Sequence, residues 1–346
     1  MRRWGAEMLC ELPSFAYAEP STVEEAVKIL DIHKPYAKAL AGGTELLNLM
    51  KDRVSGSSQP LPKVLVNVKK IRELKEVYVS GDGWLVLGAA ATLEEVAANS
   101  FVKAVYHVLS EACSSVATQQ IRSVATVGGN LCQRPWCWYF RHPYFDCFKK
   151  GGKLCYAVAG EHQHHFSVMN LGVCIAGHPS DLAPALLALD ANIQIASVKG
   201  RRKIPVSEFY LDGRSQQDTV LDTADLIVNV QVPPTTQRRG MAFAKARLRD
   251  TWDFAMANAA AVLELDGRTC VGARVAMGGL SPYPFRLRKV EAALEGENLE
   301  SSLSLYRLIK QAFSDAKTLP MTREKKNIGT AVLLETLCRA AGLPVF

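Results

Sequence analysis

The sequence predicts a protein of mixed α and β structure, because helical and strand patterns alternate along the chain and turn signals separate them. Its 346 residues correspond to two or three domains at roughly 150 residues per domain. The first elements show the alternation: Ser21 and Thr22 are suited to cap a helix over 23–30, and a short strand over 37–41 follows. An α/β or α+β domain is therefore favoured over a helical bundle.

The next elements continue this pattern. A helix over 45–51, a strand over 64–68, a hairpin over 77–88 and a helix opened by the Thr92 and Glu95 capping box are predicted in that order. Two further regions, joined by a linker at 233–237, contain predicted helices at 101–115, 182–189, 287–294, 303–316 and 327–341, and predicted strands at 193–197, 227–232, 242–247 and 273–277.

Composition excludes several classes of protein. Hydrophobic residues make up 48% of the chain and charged residues 22%, as in an ordinary folded protein. The net charge of +7 is spread along the chain, which favours compensation for a bound anion over a nucleic-acid surface. No apolar run reaches the length of a membrane span, and no signal peptide follows the first residues, so we expect a cytoplasmic protein without a membrane span.

The cysteines are unevenly placed. Of nine cysteines, five fall between residues 132 and 174, in a segment without helical or strand period. Disulfides are not expected in a reducing compartment, which leaves metal binding, redox chemistry or coincidence. Structural zinc uses ligand pairs about two to four residues apart, a spacing that only Cys132 and Cys137 approach. An iron–sulfur cluster needs only soft sulfur donors that converge in space, so it suits this segment better.

Two glycine pairs follow apolar residues, in Ala-Gly-Gly-Thr at 41–44 and in Thr-Val-Gly-Gly-Asn at 126–130. Such loops bring backbone amides against a phosphate, although two glycines also simply make a tight turn. The first pair has neither the spaced dinucleotide fingerprint nor the Lys-Ser/Thr ending of the phosphate loop. Together, two separated loops could hold opposite sides of one elongated ligand.

Three other groups of polar residues each allow a structural and a functional interpretation. Ser180 or Asp181 is suited to cap the helix that follows, and the alternative for Asp181 is a hydrogen bond to a ribose hydroxyl. A solvated strand face or an anion contact would explain the alternating cations Lys245, Arg247 and Arg249. For His162, His164 and His165, a solvated polar loop is the favoured interpretation, and a metal site is the alternative.

Three segments occur in a distinctive order: YAKALAGGTELLNLM at 36–50, IRSVATVGGNLC at 121–132 and HPSDLAPALLAL at 178–189. Together they resemble the medium FAD-binding subunit of the molybdenum hydroxylases, the group of xanthine dehydrogenase, carbon monoxide dehydrogenase and aldehyde oxidoreductases. The resemblance implies an α+β fold in which a p-cresol methylhydroxylase-type FAD-binding domain, with a small α/β lobe and a larger α+β lobe, spans 12–235. A smaller α+β C-terminal domain of the carbon monoxide dehydrogenase flavoprotein type would span 236–346, and 1–11 would be an N-terminal extension.

The same resemblance implies FAD contacts. Around the FAD pyrophosphate it places Tyr36, Ala37, Lys38, Ala39, Leu40, Ala41, Gly42, Gly43 and Thr44. It places Thr126, Gly129 and Asn130 along the flavin and Asp181 on the adenosine ribose. It implies further FAD contacts at Val116, Ile227 and Lys245.

An insertion at about 131–177 resembles the variant that carries a [4Fe-4S] cluster, as in 4-hydroxybenzoyl-CoA reductases and bacterial periplasmic aldehyde oxidoreductases. Cys137, Cys147, Cys155 and Cys174 match its four ligands. Cys132 is left over, and its closeness to Cys137 leaves an exchange of the two open.

The resemblance implies an oxidoreductase subunit without a catalytic side chain, inert by itself toward the organic substrate. Electrons would pass through FAD between [2Fe-2S] clusters of a small partner subunit and an external acceptor or carrier, and the substrate would react in a molybdopterin-binding large subunit. The alternatives are a self-sufficient FAD-dependent oxidase of the same fold and a non-enzymatic metal-binding scaffold.

Overall fold

The structure is a computed structural model that describes residues 11–235 and 239–345. The extension predicted at 1–11 lies outside the described residues except for Glu11, and the predicted linker is described only as far as residue 235. The strands are β1 (Ala16–Ala18), β2 (Ala37–Leu40), β3 (Val64–Asn67), β4 (Val77–Val79), β5 (Leu85–Gly88), β6 (Asn192–Ser197), β7 (Gly200–Pro205), β8 (Leu226–Val232), β9 (Arg239–Ala246), β10 (Ala257–Asp266), β11 (Thr269–Gly278) and β12 (Phe285–Arg286). The α-helices are α1 (Val23–Ile32), α2 (Leu46–Lys51), α3 (Leu93–Ala98), α4 (Ser100–Val105), α5 (His107–Ser114), α6 (Gln119–Arg122), α7 (Val127–Leu131), α8 (Trp138–Arg141), α9 (Leu182–Ala188), α10 (Arg288–Leu294), α11 (Ser302–Ile309) and α12 (Lys325–Ala340).

The first lobe contains a parallel sheet in the order β1-β3-β2 with α1 packed against it. α1 begins where the sequence predicts, because the Thr22 hydroxyl accepts a hydrogen bond from the N–H of Glu25 at 3.1 Å. The Glu25 carboxylate in turn accepts one from the N–H of Ser21 at 2.8 Å. The buried face of α1, with Val23 and Leu30, forms the core of this small lobe together with β2 and β3.

The second lobe contains an antiparallel sheet in the order β4-β5-β8-β6-β7. The hairpin β4-β5 matches the predicted one at 77–88. Helices α3, α5, α7 and α9 contribute to one large hydrophobic core with this sheet. α9 is buried along its whole length, so it lies at the centre of the molecule.

The C-terminal sheet, in the order β12-β11-β10-β9, lies between two cores. Alternate residues of β9 show this, since Met241 and Phe243 belong to the core of the second lobe, whereas Ala242 and Ala244 belong to a separate core with α10, α11 and α12. The sheet therefore has α5 and α9 on one face and the C-terminal helices on the other.

Residues 132–177, all of which the structure describes, form an irregular insertion that contains a single α-helix, α8. The insertion has a small core of its own, which includes four of its cysteines and also Leu49 of α2. It therefore packs beside the first glycine loop rather than forming an independent domain.

The alternating pattern gave the mixed α and β fold correctly, and some elements differ in detail. The predicted helix at 101–115 is divided at Tyr106, whose buried side chain donates a hydrogen bond to the carbonyl oxygen of Pro233 at 2.9 Å. β10 was not predicted, because its run of alanines has no β-propensity of its own. Across 11–235 and 239–345, every helix is too short or too polar to cross a membrane.

Candidate functional site

The first glycine loop, residues 41–45, connects β2 to α2. Gly42 is pressed against the neighbouring segment, since a Cβ atom there would lie 2.0 Å from the carbonyl oxygen of Val124. Gly43 has a φ of +75°, in the left-handed region that glycine adopts without steric cost. Among the described residues, the N–H groups of 43–45 have no hydrogen-bond acceptor. The loop therefore offers free backbone donors to an anion.

The second glycine loop is fixed to the start of α9. The Oγ1 atom of Thr126 accepts a hydrogen bond from the N–H of Gly129 at 3.3 Å. Asn130 accepts one at Oδ1 from the Ser180 hydroxyl at 2.6 Å. The Ser180 oxygen accepts another from the N–H of Ala183 at 3.0 Å, so Ser180 is the residue that caps α9. Asp181 is thereby left for a different role.

The Asp181 carboxylate is buried between β9 and β10. Its Oδ2 atom accepts a hydrogen bond from the Lys245 ammonium at 2.6 Å, and its Oδ1 atom accepts one from the Asn258 amide at 2.7 Å. Lys245 also donates to the carbonyl oxygen of Ser115 at 3.2 Å. A buried ion pair thus joins the start of α9 to the C-terminal sheet.

The three alternating cations do not share a strand face. β9 ends at Ala246, and the Lys245 side chain is only 4% exposed, so the solvated-face interpretation is wrong for Lys245. Arg247 donates to the carbonyl oxygen of Ser115 at 3.0 Å, and Arg249 donates to that of Trp252 at 2.7 Å. The last two cations therefore fix the backbone of loops.

These elements line one cleft of about 490 Å³. The predicted cofactor contacts that line this cleft are Lys38, Ala39, Ala41, Gly42, Gly43, Thr44, Val116, Thr126, Gly129, Asn130, Asp181, Ile227 and Lys245. Tyr36, Ala37 and Leu40 are not among the lining residues. Ala37 is buried in the core of the small lobe, and Tyr36 is exposed, with the Lys63 ammonium over its ring.

Several lining residues were not predicted from the sequence, among them Arg134, Arg141, Asp218, Asp253 and Phe254. Arg141 donates to both carboxylate oxygens of Glu45, at 2.7 and 2.9 Å. The buried Nε atom of Arg134 has no hydrogen-bond partner in the described chain. No motif pointed to these residues, because they come from short segments, mostly irregular, that only the fold brings to the cleft.

Lys38 also lines the cleft, close to Arg134. Burial, and then the nearby Arg134 guanidinium, lower the pKa of Lys38 from its ordinary value. Among the described residues, no carboxylate raises the pKa of Lys38. Two neighbouring cations and the free loop amides make the cleft suitable for an elongated ligand with negative charge.

A second, much smaller cavity lies inside the insertion. It is lined by all four cysteines predicted as cluster ligands, Cys137, Cys147, Cys155 and Cys174. Cys132 lies elsewhere, in the lining of the large cleft. The fold therefore separates Cys132 from the other four, which spacing alone did not do.

Backbone N–H groups near the four sulfur atoms favour the thiolate forms, because they act to lower the pKa of each cysteine. These groups belong to Tyr139 and Phe140 at Cys137, to Lys149 and Lys150 at Cys147, to Ala157, Val158 and Ile175 at Cys155, and to Ala176 at Cys174. The Cys174 thiol donates to the Cys155 sulfur and, with the N–H groups, lowers the pKa of Cys155 to about 6. Burial raises the pKa of Cys137 to about 12. Within 11–235 and 239–345, no three His, Cys, Asp or Glu side chains are arranged to hold a single metal ion.

The histidines of the insertion are not simply solvated. His162 is buried, with Nδ1 at 2.9 Å from the carbonyl oxygen of Ala157 and Nε2 accepting from the N–H of Met321 at 3.3 Å. His165 is also buried, and burial lowers its pKa to about 4. The prediction of a solvated loop is therefore wrong for these two residues, which pack inside the insertion.

Two protein families match consecutive regions of this chain. The family described as "FAD binding domain in molybdopterin dehydrogenase" matches residues 13–235, and the family described as "CO dehydrogenase flavoprotein C-terminal domain" matches 241–324. The chain is 34% identical over 287 residues to the aldehyde oxidoreductase FAD-binding subunit PaoB of Escherichia coli (strain K12), covering 82% of this chain and 86% of that protein. It is 27% identical over 286 residues to the carbon monoxide dehydrogenase medium chain of Hydrogenophaga pseudoflava, covering 82% and 81%.

Solved structures share the fold. A structure of carbon monoxide dehydrogenase from Hydrogenophaga pseudoflava aligns with a TM-score of 0.75 and 24% identity, covering 96% of this chain and 99% of that chain. Quinoline 2-oxidoreductase from Pseudomonas putida 86 aligns with a TM-score of 0.74 and 21% identity. The fold and the cleft therefore define an FAD-binding oxidoreductase subunit. The chain belongs to the family of FAD-binding medium subunits of the molybdenum hydroxylases, which confirms the family indicated by the sequence.

The residues of the large cleft fit FAD. The pyrophosphate of FAD is anionic, and the cleft supplies the free N–H groups of 43–45, the Lys38 ammonium and the unpartnered Nε atom of Arg134. The rest of the lining contains apolar side chains such as Val116 and Ile227, which suit the rings of the cofactor.

Proposed function

We propose that this subunit transfers electrons through FAD bound in the large cleft, between [2Fe-2S] clusters of a partner subunit and an external acceptor. The observation that carries the proposal is the cleft, where two glycine loops far apart in sequence meet beside the buried Asp181–Lys245 pair. The organic substrate of the complex would react in a molybdopterin-binding large subunit. We therefore expect the isolated chain to be inert toward that substrate.

The proposed FAD contacts are the predicted residues that line the cleft. Tyr36, Ala37 and Leu40 do not line the cleft; Ala37 and Leu40 belong to β2, the strand that leads into the first glycine loop, and Tyr36 precedes it. FAD, when bound, supplies a centre that accepts electrons one at a time and releases them in pairs.

The residues of the chain bind and orient the cofactor. The amides of 43–45 would donate hydrogen bonds to the phosphates, and the Lys38 ammonium would offset part of their negative charge. Asp181, held in place by Lys245 and Asn258, presents a fixed carboxylate to a ribose hydroxyl. Val116 and Ile227 exclude water from the cleft. No side chain has to act as an acid or a base in this function.

We also propose a [4Fe-4S] cluster bound by Cys137, Cys147, Cys155 and Cys174. The shared cavity, the N–H groups near each sulfur and the nearby Lys149 and Lys150 all favour anionic thiolates bound to a cluster. A [4Fe-4S] cluster would be held by four cysteine thiolates, and four cysteines line this one cavity.

The [2Fe-2S] clusters are assigned to a partner, because this sequence has neither ferredoxin-type spacing nor a second group of cysteines. We propose a domain boundary at 235, with the FAD-binding domain over 12–235 and the C-terminal domain over 236–346. The two family matches, which end at 235 and resume at 241, support this division.

The experiment that tests the proposal is anaerobic purification of the chain, followed by an absorbance spectrum and by analysis of flavin, iron and sulfide. We expect one FAD with about four irons and four sulfides per chain. Flavin without iron would reject the cluster and leave the flavin function standing. Absence of flavin would reject the proposed function altogether.

The same preparation tests the alternatives. A self-sufficient oxidase would reduce its flavin when aldehydes or purines are added to the isolated chain, and a metal-binding scaffold would contain iron or zinc without flavin. We expect neither result. Reduction of the flavin should require the assembled complex.

A further inference from the structure

A buried ion-pair network lies between the large cleft and the cysteine cavity. Its centre is Asp218, whose Oδ1 atom lies 2.6 Å from the Lys149 ammonium and whose Oδ2 atom lies 3.0 Å from the Arg134 guanidinium. All three side chains are shielded from solvent, at 3% exposed for Lys149, 8% for Asp218 and 17% for Arg134. In such surroundings charges are poorly screened and act over longer distances than at the surface.

The network reaches both sites. Lys149 lines the cysteine cavity, its backbone N–H lies near the Cys147 sulfur, and its ammonium is close enough to Cys174 to stabilise a thiolate there. Arg134 and Asp218 line the large cleft. Arg134 is also bound directly to the segment that carries Lys149, since its Nη2 atom donates to the carbonyl oxygen of Lys149 at 3.0 Å.

The charges of the network do not balance. Two cations surround one carboxylate, and His178, which also faces Asp218 and Lys149, stays neutral because burial lowers its pKa to about 4. Lys38 adds a further positive charge near Arg134 on the cleft side. Even without Lys38, Arg134, Asp218 and Lys149 together carry one positive charge in excess between two cavities that both suit negative groups.

We propose that Arg134, Asp218 and Lys149 act as positioning residues that couple the redox properties of the two sites. This inference rests on the proposed function, in which the large cleft holds FAD and the small cavity holds an iron–sulfur cluster. Each site gains negative charge when it accepts an electron. The network stabilises that charge from its two ends, and the Asp218 carboxylate sets how much positive charge each site experiences.

The test is a redox titration of the purified, assembled complex. The flavin is followed by absorbance and the cluster by electron paramagnetic resonance. In Asp218→Asn the two cations lose their counter-charge, so we expect the midpoint potentials of flavin and cluster both to rise. In Lys149→Gln a cation is lost instead, so we expect both potentials to fall. The double variant restores the net charge, and its potentials should return toward those of the wild type.

Two controls separate this electrostatic role from a merely structural one. Asp218→Glu keeps the charge and should keep both potentials close to wild type. Asp222→Asn removes a carboxylate that also lines the large cleft but is exposed, so the cluster potential should not move. If Asp218→Asn does not fold, Lys149→Gln and the double variant still test the direction in which the two midpoint potentials move.

The outcomes are distinct. Potentials that stay unchanged, or that move in the same direction in Asp218→Asn and Lys149→Gln, would overturn the coupling role in a complex that contains flavin and iron. A shift confined to one of the two sites would overturn it as well. A wild-type complex without iron or flavin would instead reject the proposed function.

Discussion

Asp181 and Lys245 form a buried ion pair, with side chains 3% and 4% exposed and an N–O distance of 2.6 Å. Removal of one partner leaves the other as an uncompensated charge in a medium of low polarity, which typically costs about 3–5 kcal/mol. We expect Asp181→Asn to lower the free energy of unfolding by about this amount, and to reduce bound FAD. Chemical unfolding and released-flavin analysis measure the two effects.

The surface pair Lys289–Asp315 provides the matched control. Its N–O distance is 2.8 Å, close to that of the buried pair, but both side chains are mostly exposed. Asp315→Asn should leave stability and flavin content nearly unchanged, because solvent screens the pair. Equal losses in the two variants would show that burial is not what makes the Asp181 pair important.

Lys325 is a fully buried cation at the start of α12, and its ammonium donates to the carbonyl oxygen of Gly279 at 2.7 Å. Burial lowers the pKa of Lys325 to about 7 from its ordinary 10.5. Between these two values the unfolded chain binds more protons than the folded chain at this residue, so the contribution of Lys325 to stability rises with pH. Below pH 7 that contribution is lost.

Comparison with Lys325→Met isolates this contribution, because the other titrating groups are shared. We expect the melting temperature of Lys325→Met, relative to wild type, to be highest near pH 6.5 and to fall steadily toward pH 10. Differential scanning calorimetry at several pH values measures the trend. A constant difference across this range would contradict the lowered pKa.

At the scale of elements, the first glycine loop depends on a close approach of two backbones. A Cβ atom at Gly42 would meet the carbonyl oxygen of Val124 at 2.0 Å, so Gly42→Ala must displace the loop that forms one side of the cleft. We expect a loss of bound FAD and a destabilisation of about 1–3 kcal/mol. Flavin content and unfolding of the purified variant measure both.

Gly81, in the turn between β4 and β5, is the matched control for this substitution. A Cβ atom there would have no neighbour within 4 Å, so Gly81→Ala changes the same atoms in an open place. Its flavin content and stability should remain close to wild type. Loss of flavin in Gly81→Ala would indicate that alanine is harmful in any turn of this chain. It would contradict a specific role for the close approach at Gly42.

The local sequence determined elements whose signals lie within a few residues. The caps at Thr22 and Thr92 and the hairpin β4-β5 are such cases, because each depends on hydrogen bonds between near neighbours. β10 was missed because its alanines form a strand only when β9 and β11 lie on either side of them. Sheet pairing of this kind overrides local propensity.

At the scale of the whole molecule, the insertion joins the cysteine cavity to the FAD-binding domain. We expect Cys147→Ser to lose most of its iron and to keep FAD, since Cys147 lines only the small cavity. Iron analysis and absorbance spectra measure this, with Cys132→Ser as the control that keeps its iron. Iron retained in Cys147→Ser but lost in Cys132→Ser would contradict the proposed set of cluster ligands.

The assembled complex then tests what the cluster does. If the cluster relays electrons, reduction of the flavin by the partner or its reoxidation by the acceptor should slow in Cys147→Ser. Unchanged transfer rates in a folded variant would reject the relay and leave the cluster a structural role in the insertion. Stopped-flow absorbance of the flavin measures the rates.

The mixed fold, the two glycine loops, the clustered cysteines and the family could all be predicted from the sequence, because these features lie in short continuous segments. Three features became visible only in the folded chain: Asp181 pairs with Lys245, Cys132 lies apart from the other four clustered cysteines, and Arg134 and Asp218 reach the cleft. Each of these depends on contacts between residues far apart in the chain. Such contacts form only when the hydrophobic cores bring the elements together, and no local pattern records which partners will meet.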